Sequence, residues 1–313
     1  MRPRKVRVFA PATIANLGSG FDVLGLAIDR PGDSVTAERQ QECALSFSVR
    51  LNQRSISTDA RKNVAGHVAQ IILDEIKPPF GIRLILDKKM PIGSGLGSSA
   101  ASSVASVVAV NALLPKPLKK TDLLQFAIEG ERLASGTAHA DNIAPSLLGG
   151  ACLVRSYDPL DIVRIPIRNT IFWVVVHPHL EVRTEEARNI LPNSVPLKTA
   201  IQQWGNIAGL TIGLSTGDAE LVGRCVADQI VEPVRSQLIP AFHDVKETAL
   251  VAGATGCSIS GSGPSLFAVA PSLSIAKKIG AAMKRRFAAS AEVRSDVYIS
   301  KTNMNGATIE WMK

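Results

Sequence analysis

Residues 5–10 (KVRVFA) alternate between polar and apolar positions, a period of two that predicts a strand with one buried face. The alternation stops in residues 11–25, which are rich in Ala, Gly and Asn and read as a loop. Apolar segments at 24–29 (LGLAID), around Val35 to Ala37, at 43–49 and at 82–87 predict further strands. Residues 61–76 set Val64, Val68, Ile71, Ile72 and Ile76 on one face at helical spacing. Residues 98–114 (SSAASSVASVVAVNALL) predict a helix so poor in charge that most of its faces must be buried, and Pro115 and Pro117 stop it. A second helix is expected over 121–134 with Thr121 as its N-cap, then a loop over 135–141 and a strand at 151–156.

The second half opens with IFWVVVHP (171–178), a continuous apolar run of strand length and so a strand buried on both faces. Helices are expected near 183–191, 197–215, 218–227 and 241–253, a strand–turn–strand over 257–270, an amphipathic helix over 274–289 and a strand within 292–301. Strands and helices mix in both halves, without a fixed-period repeat. This predicts an α+β protein of two lobes, residues 1–165 and 166–313, rather than a doubly wound sheet.

Composition narrows the classes. The chain of 313 residues is 46% hydrophobic, enough for a real core and too apolar for a disordered chain. No run approaches 18 apolar residues, and the basic start leads directly into a strand, so neither a membrane span nor a leader is expected. The net charge of +8 is scattered over Arg2 to Arg7, Lys88-Lys89, Lys116 to Lys120 and Lys277 to Arg286, with only 14 aromatic residues to stack bases. That argues against nucleic acid and suits an anionic small substrate. Cys43, Cys152, Cys225 and Cys257 form no CxxC pair and are expected as reduced thiols of a cytoplasmic protein.

The strongest local signal is PIGSGLGSSAASS (91–103). Gly93, Gly95 and Gly97 remove three side chains in five positions, so backbone N–H groups can converge on an anion, and the loop runs into the positive end of a helix. Ser98 and Ser99 fall in the first turn, able to cap the helix, touch phosphate or ligate Mg2+. The alternative is a helix start where glycine only permits tight packing. A GxxxxGK(S/T) loop needs a Lys where Ser98 stands, and a Rossmann GxGxxG needs an acid about twenty positions on. Two more Gly/Ser loops, 11–25 and 256–269, each beside a strand, suggest one cleft assembled from both halves.

Together these segments resemble the galactokinase, homoserine kinase, mevalonate kinase and phosphomevalonate kinase (GHMP) superfamily, in which PxGxGLGSSAA is the nucleotide loop. PATIANLGSGFDVLGLAID, SGTAHADNIAPSLLGG (135–150), RTEEARNILP (183–192) and EPVRSQLIPAF (232–242) narrow the resemblance to the members that phosphorylate L-homoserine. It runs from residue 8 to about 270, and Gly-Ser-Gly at 261–263 stands where many relatives have Gly-Ala-Gly. The resemblance implies an N-terminal lobe like ribosomal protein S5 domain 2 and a C-terminal ferredoxin-like lobe. It implies ATP and Mg2+ as cofactors, phosphorylation of the L-homoserine hydroxyl on the route to threonine, and a homodimer.

The resemblance also assigns candidates. The nucleotide falls to Pro91, Ile92, Gly93, Ser94, Gly95, Leu96, Gly97, Ser98, Ser99 and Ala100. Mg2+ falls to Ser99 and Glu131, with Glu129 pointing round the helix away from them. Arg188 and Arg235 match carboxylate-binding positions, where the planar guanidinium suits a carboxylate better than Lys does; Arg183 is a weaker third. Asp22 is expected on the substrate ammonium, and Asn16 and Asn142 on substrate hydrogen bonds, the alternative for Asn16 and Asp22 being an Asx turn. His139 joins the substrate group as a loop-ordering residue rather than a base. Asn16, Asp141 and Thr184 are the catalytic candidates. Asp141 stands in a DN pair like one that carries a catalytic Asp in mevalonate kinases, but is expected to bind substrate without serving as an essential base. Lys88 is a further, weaker candidate facing phosphate.

Overall fold

The N-terminal alternation extends further than residues 5–10. The computed structural model describes residues 3–51 and 56–313; Arg2 of the basic start lies outside them. Here β1 (Lys5–Ala15) runs on through the first third of the expected loop, and β2 (Leu24–Gln40) joins two segments read as separate strands. Each pairs antiparallel with the other over nearly its whole length, and that pairing outweighs the weak strand preference of Ala, Pro and Gly. There follow β3 (Leu45–Leu51), α1 (Val64–Ile76), β4 (Gly81–Lys88), α2 (Ser98–Leu113), α3 (Leu124–Ser135), α4 (Ala140–Leu148), β5 (Ala151–Tyr157) and β6 (Leu160–Ile165). The expected cap at Thr121 is not formed: Thr121 sits in a 3-10 turn ahead of α3, its hydroxyl on Asp122. Helix α4 was hidden by Pro145 inside it and by the Gly149-Gly150 pair behind it, both breaker signals.

The second half comprises β7 (Phe172–Pro178), α5 (Thr184–Asn189), α6 (Leu197–Thr216), α7 (Ala219–Cys225), α8 (Glu232–Arg235), α9 (Phe242–Val251), β8 (Gly256–Ile259), β9 (Leu266–Ala270), α10 (Leu273–Ala291), β10 (Ser295–Ser300) and β11 (Thr308–Met312). The first sheet has the order β11-β1-β2-β4-β3, with β5 and β6 added beside the start of β2. Its last strand therefore comes from the far end of the chain. The second sheet, β10-β7-β9-β8, is antiparallel throughout and, with α9 and α10, has the split β-α-β arrangement of ferredoxin-like lobes.

The apolar run of β7 is explained by burial on both faces. Trp173 and Val175 join the large core shared with the first lobe, while Val174 and Val176 face the smaller core under α9 and α10. Helix α2 lies at the centre of the large core, nearly every residue from Ser98 to Leu113 buried, which is why it carries no charge.

Beneath the start of α2 sits a buried ion pair. The Lys88 ammonium bonds Asp33, the Ser98 carbonyl at 2.7 Å and the Ser102 hydroxyl at 2.9 Å. Asp33 also accepts from the backbone N–H groups of Lys89 and Met90 at 2.9 and 3.0 Å, fixing the chain where it turns into the glycine loop. Removing one partner of such a pair leaves an uncompensated buried charge. Lys88→Met is therefore expected to lower the unfolding free energy by about 3–5 kcal/mol in chemical denaturation, with Lys88→Met/Asp33→Asn recovering part of it. An unchanged midpoint for the single variant contradicts this role.

Candidate active site

The three Gly/Ser loops meet. The Ser94 carbonyl accepts from the Ser265 hydroxyl at 2.6 Å and the Ser265 N–H at 3.3 Å, and the Gly95 carbonyl from the Ser260 hydroxyl at 2.7 Å. Asn16 donates through Nδ2 to the Gly261 carbonyl at 3.2 Å, and the Gly261 N–H donates to the Ala15 carbonyl at 3.2 Å. Glycine is required where these backbones crowd. A Cβ at Gly95 would stand 2.3 Å from the Ser260 carbonyl, and one at Gly97 would stand 2.1 Å from Thr13 Oγ1; both residues have positive φ. Gly97 is also the N-cap of α2, and no side chain caps that helix, so its first N–H groups remain available to an anion. The buried Ser98 hydroxyl beside them has no hydrogen-bond partner.

A cavity of about 420 Å3 opens in front of this loop. Ile92, Gly93, Ser94, Gly95, Gly97, Ser98 and Ser99 line it. Pro91, Leu96 and Ala100 do not; Leu96 and Ala100 are packed in the core, which leaves them only a backbone contribution to a nucleotide site. The cavity also takes in Asn16, Asp22, Glu131, His139, Asp141, Asn142, Arg183, Thr184, Arg188 and Arg235, from both lobes. Thr184 opens α5, and the Val182 N–H just before it donates to the Gly93 carbonyl at 3.2 Å, bringing α5 alongside the loop. Lys88 reaches the wall as well, but its ammonium is held from below by Asp33 and Ser102.

Ser99 Oγ donates to Glu131 Oε1 at 2.5 Å. Glu131 is buried on α3, and burial raises its pKa against the opposing pull of the Ser99 hydroxyl. A hydroxyl and a buried carboxylate at the edge of the phosphate loop fit a hard divalent ion, which keeps waters and phosphate oxygens as its other ligands. Glu129 points elsewhere, paired with Arg132 at 3.0 Å on the surface.

At the other end of the cavity Arg188 Nη2 donates to both carboxylate oxygens of Asp22, at 2.9 and 3.0 Å. Its buried Nε has no partner. Arg235, almost wholly buried, donates to the carbonyls of Ala187 at 2.9 Å and Gly261 at 3.0 Å. Burial pulls its pKa down to about 10 and Asp22 opposes this, so it stays cationic at neutral pH. Both guanidiniums lie over the Phe21 ring, 5.4 and 5.0 Å from its centroid. Asn16 Oδ1 accepts from the Asp22 N–H at 3.1 Å, so both ends of its amide hold loops in place. Asn142 Oδ1 accepts from Thr13 at 2.6 Å. His139 caps no backbone group; Nε2 meets the Thr137 hydroxyl at 2.5 Å and Nδ1 lies 3.7 Å from Asp22. Burial lowers its pKa more than Asp22 raises it, leaving a neutral ring at pH 7.

Asp141 is buried in the first turn of α4, where burial, then Asp22 and Glu131, push its pKa up to about 8. Three parts of the site have no local signal in the sequence: Phe21 beneath the two guanidiniums, the Asp33–Lys88 pair, and Thr13 on Asn142. Each joins residues far apart in the chain, and only the folded sheet brings them together.

Comparison with known proteins gives the family. The GHMP kinases N terminal domain matches residues 63–150 and the GHMP kinases C terminal domain residues 210–289. Homoserine kinase of Chlorobium phaeobacteroides (strain BS1) is 46% identical over 98% of this chain and 99% of its own length. That of Pyrococcus abyssi is 41% identical over 95% of this chain and 97% of its own. The crystal structure of homoserine kinase from Cytophaga hutchinsonii superposes with a TM-score of 0.91 at 50% identity, covering 98% of this chain and 97% of that one. A mevalonate kinase from L. major shares the fold, with a TM-score of 0.75 at 17% identity over 97% of this chain and 98% of that one. In sequence and fold, this chain belongs to the homoserine kinase family of GHMP kinases.

Proposed function

We propose that the protein transfers the γ-phosphoryl group of ATP to the side-chain hydroxyl of L-homoserine, yielding ADP and O-phospho-L-homoserine for threonine synthesis. One observation carries this reading: a single cavity joins an uncapped glycine-bounded helix start to two arginines, the half-buried Arg188 paired with the Asp22 carboxylate and the buried Arg235. The first is a phosphate site, and the second is the imprint of a zwitterion. Arg188 Nη2 and the Asp22 carboxylate pair with each other, and Arg188 Nε is left over. A bound amino acid replaces that pair, its carboxylate taking Arg188 Nε and Arg235 and its ammonium taking Asp22. The full-length likeness to homoserine kinases supports the same substrate.

Phosphoryl transfer through a loose transition state depends on alignment and charge neutralisation more than on covalent chemistry. The loop backbone and the N-terminus of α2 hold the phosphates; Ser99 and Glu131 hold Mg2+, which supplies further neutralisation of phosphate charge. Arg188, Arg235 and Asp22 fix the amino acid so that its hydroxyl faces the γ-phosphorus. The hydroxyl oxygen attacks, the bond to the β-bridging oxygen breaks, and ADP leaves. Thr184, at the start of α5, lies on the side of the cavity where the group moves. At neutral pH Asp141 carries its own proton and so donates a hydrogen bond to substrate rather than removing a proton; the hydroxyl proton passes to the transferred phosphate.

Incubation with Mg·ATP and L-homoserine, followed by 31P NMR, tests the activity: a phosphomonoester resonance is expected with L-homoserine and none with the D-isomer, whose carboxylate and hydroxyl cannot both be placed. Turnover of mevalonate in preference to homoserine overturns the assignment. Replacing Arg188 by Leu is expected to raise KM for L-homoserine by about 100-fold with a smaller change in KM for ATP, the loss of a bidentate charged contact.

Ser99→Ala and Glu131→Gln are each expected to lower kcat by roughly 100-fold or more and to shift the Mg2+ requirement upward. A loss of a few-fold with an unaltered Mg2+ requirement contradicts their role. For Asp141→Asn the expectation is retained kcat, within about tenfold, and a raised KM; abolished kcat at unchanged KM assigns the base to Asp141. Stability gives an independent check. From its ordinary value of 3.8 up to about 8 the native state holds this proton while the unfolded chain has lost it. Wild type therefore loses stability relative to Asp141→Asn as pH rises through that window, and parallel melting curves across it contradict the burial of an ionisable group there.

A further inference from the structure

Gln203 is a polar side chain on the buried face of α6, in line with Leu210, Gly213 and Leu214. Its amide is used completely. Nε2 donates to the Ser19 carbonyl at 2.8 Å and to Asp228 Oδ1 at 2.9 Å, and Oε1 accepts from the Gln229 N–H at 3.0 Å. These partners settle its orientation. Turned over, the amide sets its oxygen against two acceptors and its nitrogen against a donor. A buried amide so placed is costly to the fold unless every bond is made, so its presence among leucines calls for a reason.

Asp228 is buried beside it. Its carboxylate accepts from the N–H groups of Ile230, Val231 and Glu232 at 2.9, 3.0 and 2.9 Å, the donors that lead into α8. The last residue of α8 is Arg235. Farther along, Ser258 of β8 donates to Glu232 Oε2 at 2.6 Å, so α8 is fastened to the second sheet as well. Neither Gln203 nor Asp228 lines the main cavity.

The segment on the other side of the amide, Asn16 to Asp22, is a loop under backbone strain. Asn16, Leu17 and Asp22 have φ of 69°, 47° and 59°, left-handed values that non-glycine residues keep only where the surroundings fix them. Two contacts within the first lobe hold Asp22: its N–H on Asn16 Oδ1 at 3.1 Å, and its carbonyl accepting from the Tyr157 hydroxyl at 2.8 Å. Ser19 crosses to the second half, its hydroxyl donating to the Cys225 carbonyl at 2.8 Å and its carbonyl accepting from Gln203. On the cavity side, the Gly261 carbonyl accepts from both Asn16 and Arg235. Behind the cavity, the Gln203 amide does the corresponding work, touching the loop directly and the start of α8 through Asp228.

These two segments carry Asp22 and Arg235, the groups assigned above to the ammonium and the carboxylate of the amino acid. In an α-amino acid those charges are one carbon apart, so the gap between the two protein groups has to match a short fixed span. We propose that Gln203 and Asp228 are positioning residues that set the spacing of Asp22 and Arg235, and with it the fit of the amino acid. The proposal rests on the substrate reading given above and leaves the nucleotide end of the cavity untouched.

Steady-state kinetics of the full chain tests it. Misplacement by about 1 Å is enough for large losses, and Gln203→Met and Asp228→Ala are each expected to raise KM for L-homoserine about tenfold or more, with KM for ATP within about twofold of wild type. Gln203→Glu, which keeps the shape and turns a donor into an acceptor, is expected to behave like Gln203→Met, and Asp228→Asn, which keeps one acceptor oxygen, to restore most of the loss. Because both residues act through one bond, the double variant Gln203→Met/Asp228→Ala is expected to be no worse than the poorer single variant. Leu210→Ala, on the same buried face, is expected to lower the melting temperature without moving either KM. An unchanged KM for L-homoserine in the Gln203 and Asp228 variants, a matching rise in KM for ATP, or an equal rise in Leu210→Ala overturns the proposal. If wild type fails to turn over L-homoserine, the substrate reading falls by itself. The spacing is then read from a crystal structure of Asp228→Ala, in which Arg235 is expected to have left the Gly261 carbonyl; Arg235 still bonded there overturns the proposal.

Discussion

Two carbonyl groups, those of Ser94 and Gly95, hold the molecule's function together. Both are bonded by serines of the second lobe, Ser265 and Ser260, so the loop cannot swing away from the far wall of the cleft. With those oxygens turned to the other lobe and α2 lacking a side-chain cap, the loop offers its donors to the cavity. No side chain can replace the glycines that permit this, because the space their Cβ atoms would take is filled by backbone and by Thr13. A backbone able to receive an anion results from packing constraints alone, before any charged residue is considered.

Charge enters in two places, kept apart by the length of the cavity. Next to the loop, Asp33 pairs with Lys88 from beneath while Glu131 is bonded by the Ser99 hydroxyl, so a carboxylate stands at the edge of the loop. At the far end, Arg188 pairs with Asp22, both guanidiniums lie over the Phe21 ring, and one Arg188 N–H group is left unsatisfied. An unpaired buried donor costs stability, and a ligand carboxylate removes that cost on binding. Burial of Asp141 between these centres sets its proton affinity, so that the same environment that would make it a strong base also keeps it protonated.

Much of this was legible in the chain. The period-two and period-3.6 patterns located most strands and helices, and the charge-free stretch after Ser98 announced a buried helix. The three Gly/Ser loops predicted one shared cleft, and they meet in one. What the pattern could not show was extent and pairing. β1 and β2 continue through Ala, Pro and Gly because they hydrogen-bond each other, a fact outside any local window. α4 escaped notice because Pro145 lies within it. Asn16, expected on substrate, has both ends of its amide engaged in loop contacts that depend on Gly261, 245 residues away. Leu96 and Ala100 belong to the loop motif in sequence but to the core in space. Motif membership identifies a segment, and only packing says which of its members face the ligand.

The most direct measurement is a crystal structure of the protein with Mg2+, a non-hydrolysable ATP analogue and L-homoserine. The account predicts the triphosphate against Gly93 to Ser99 and the amino acid's carboxylate on Arg188 and Arg235, with the Asp22–Arg188 pair opened and Asp22 on the ammonium. A nucleotide seated away from the loop, or an amino acid bound while Asp22 and Arg188 remain joined as in the free protein, contradicts it.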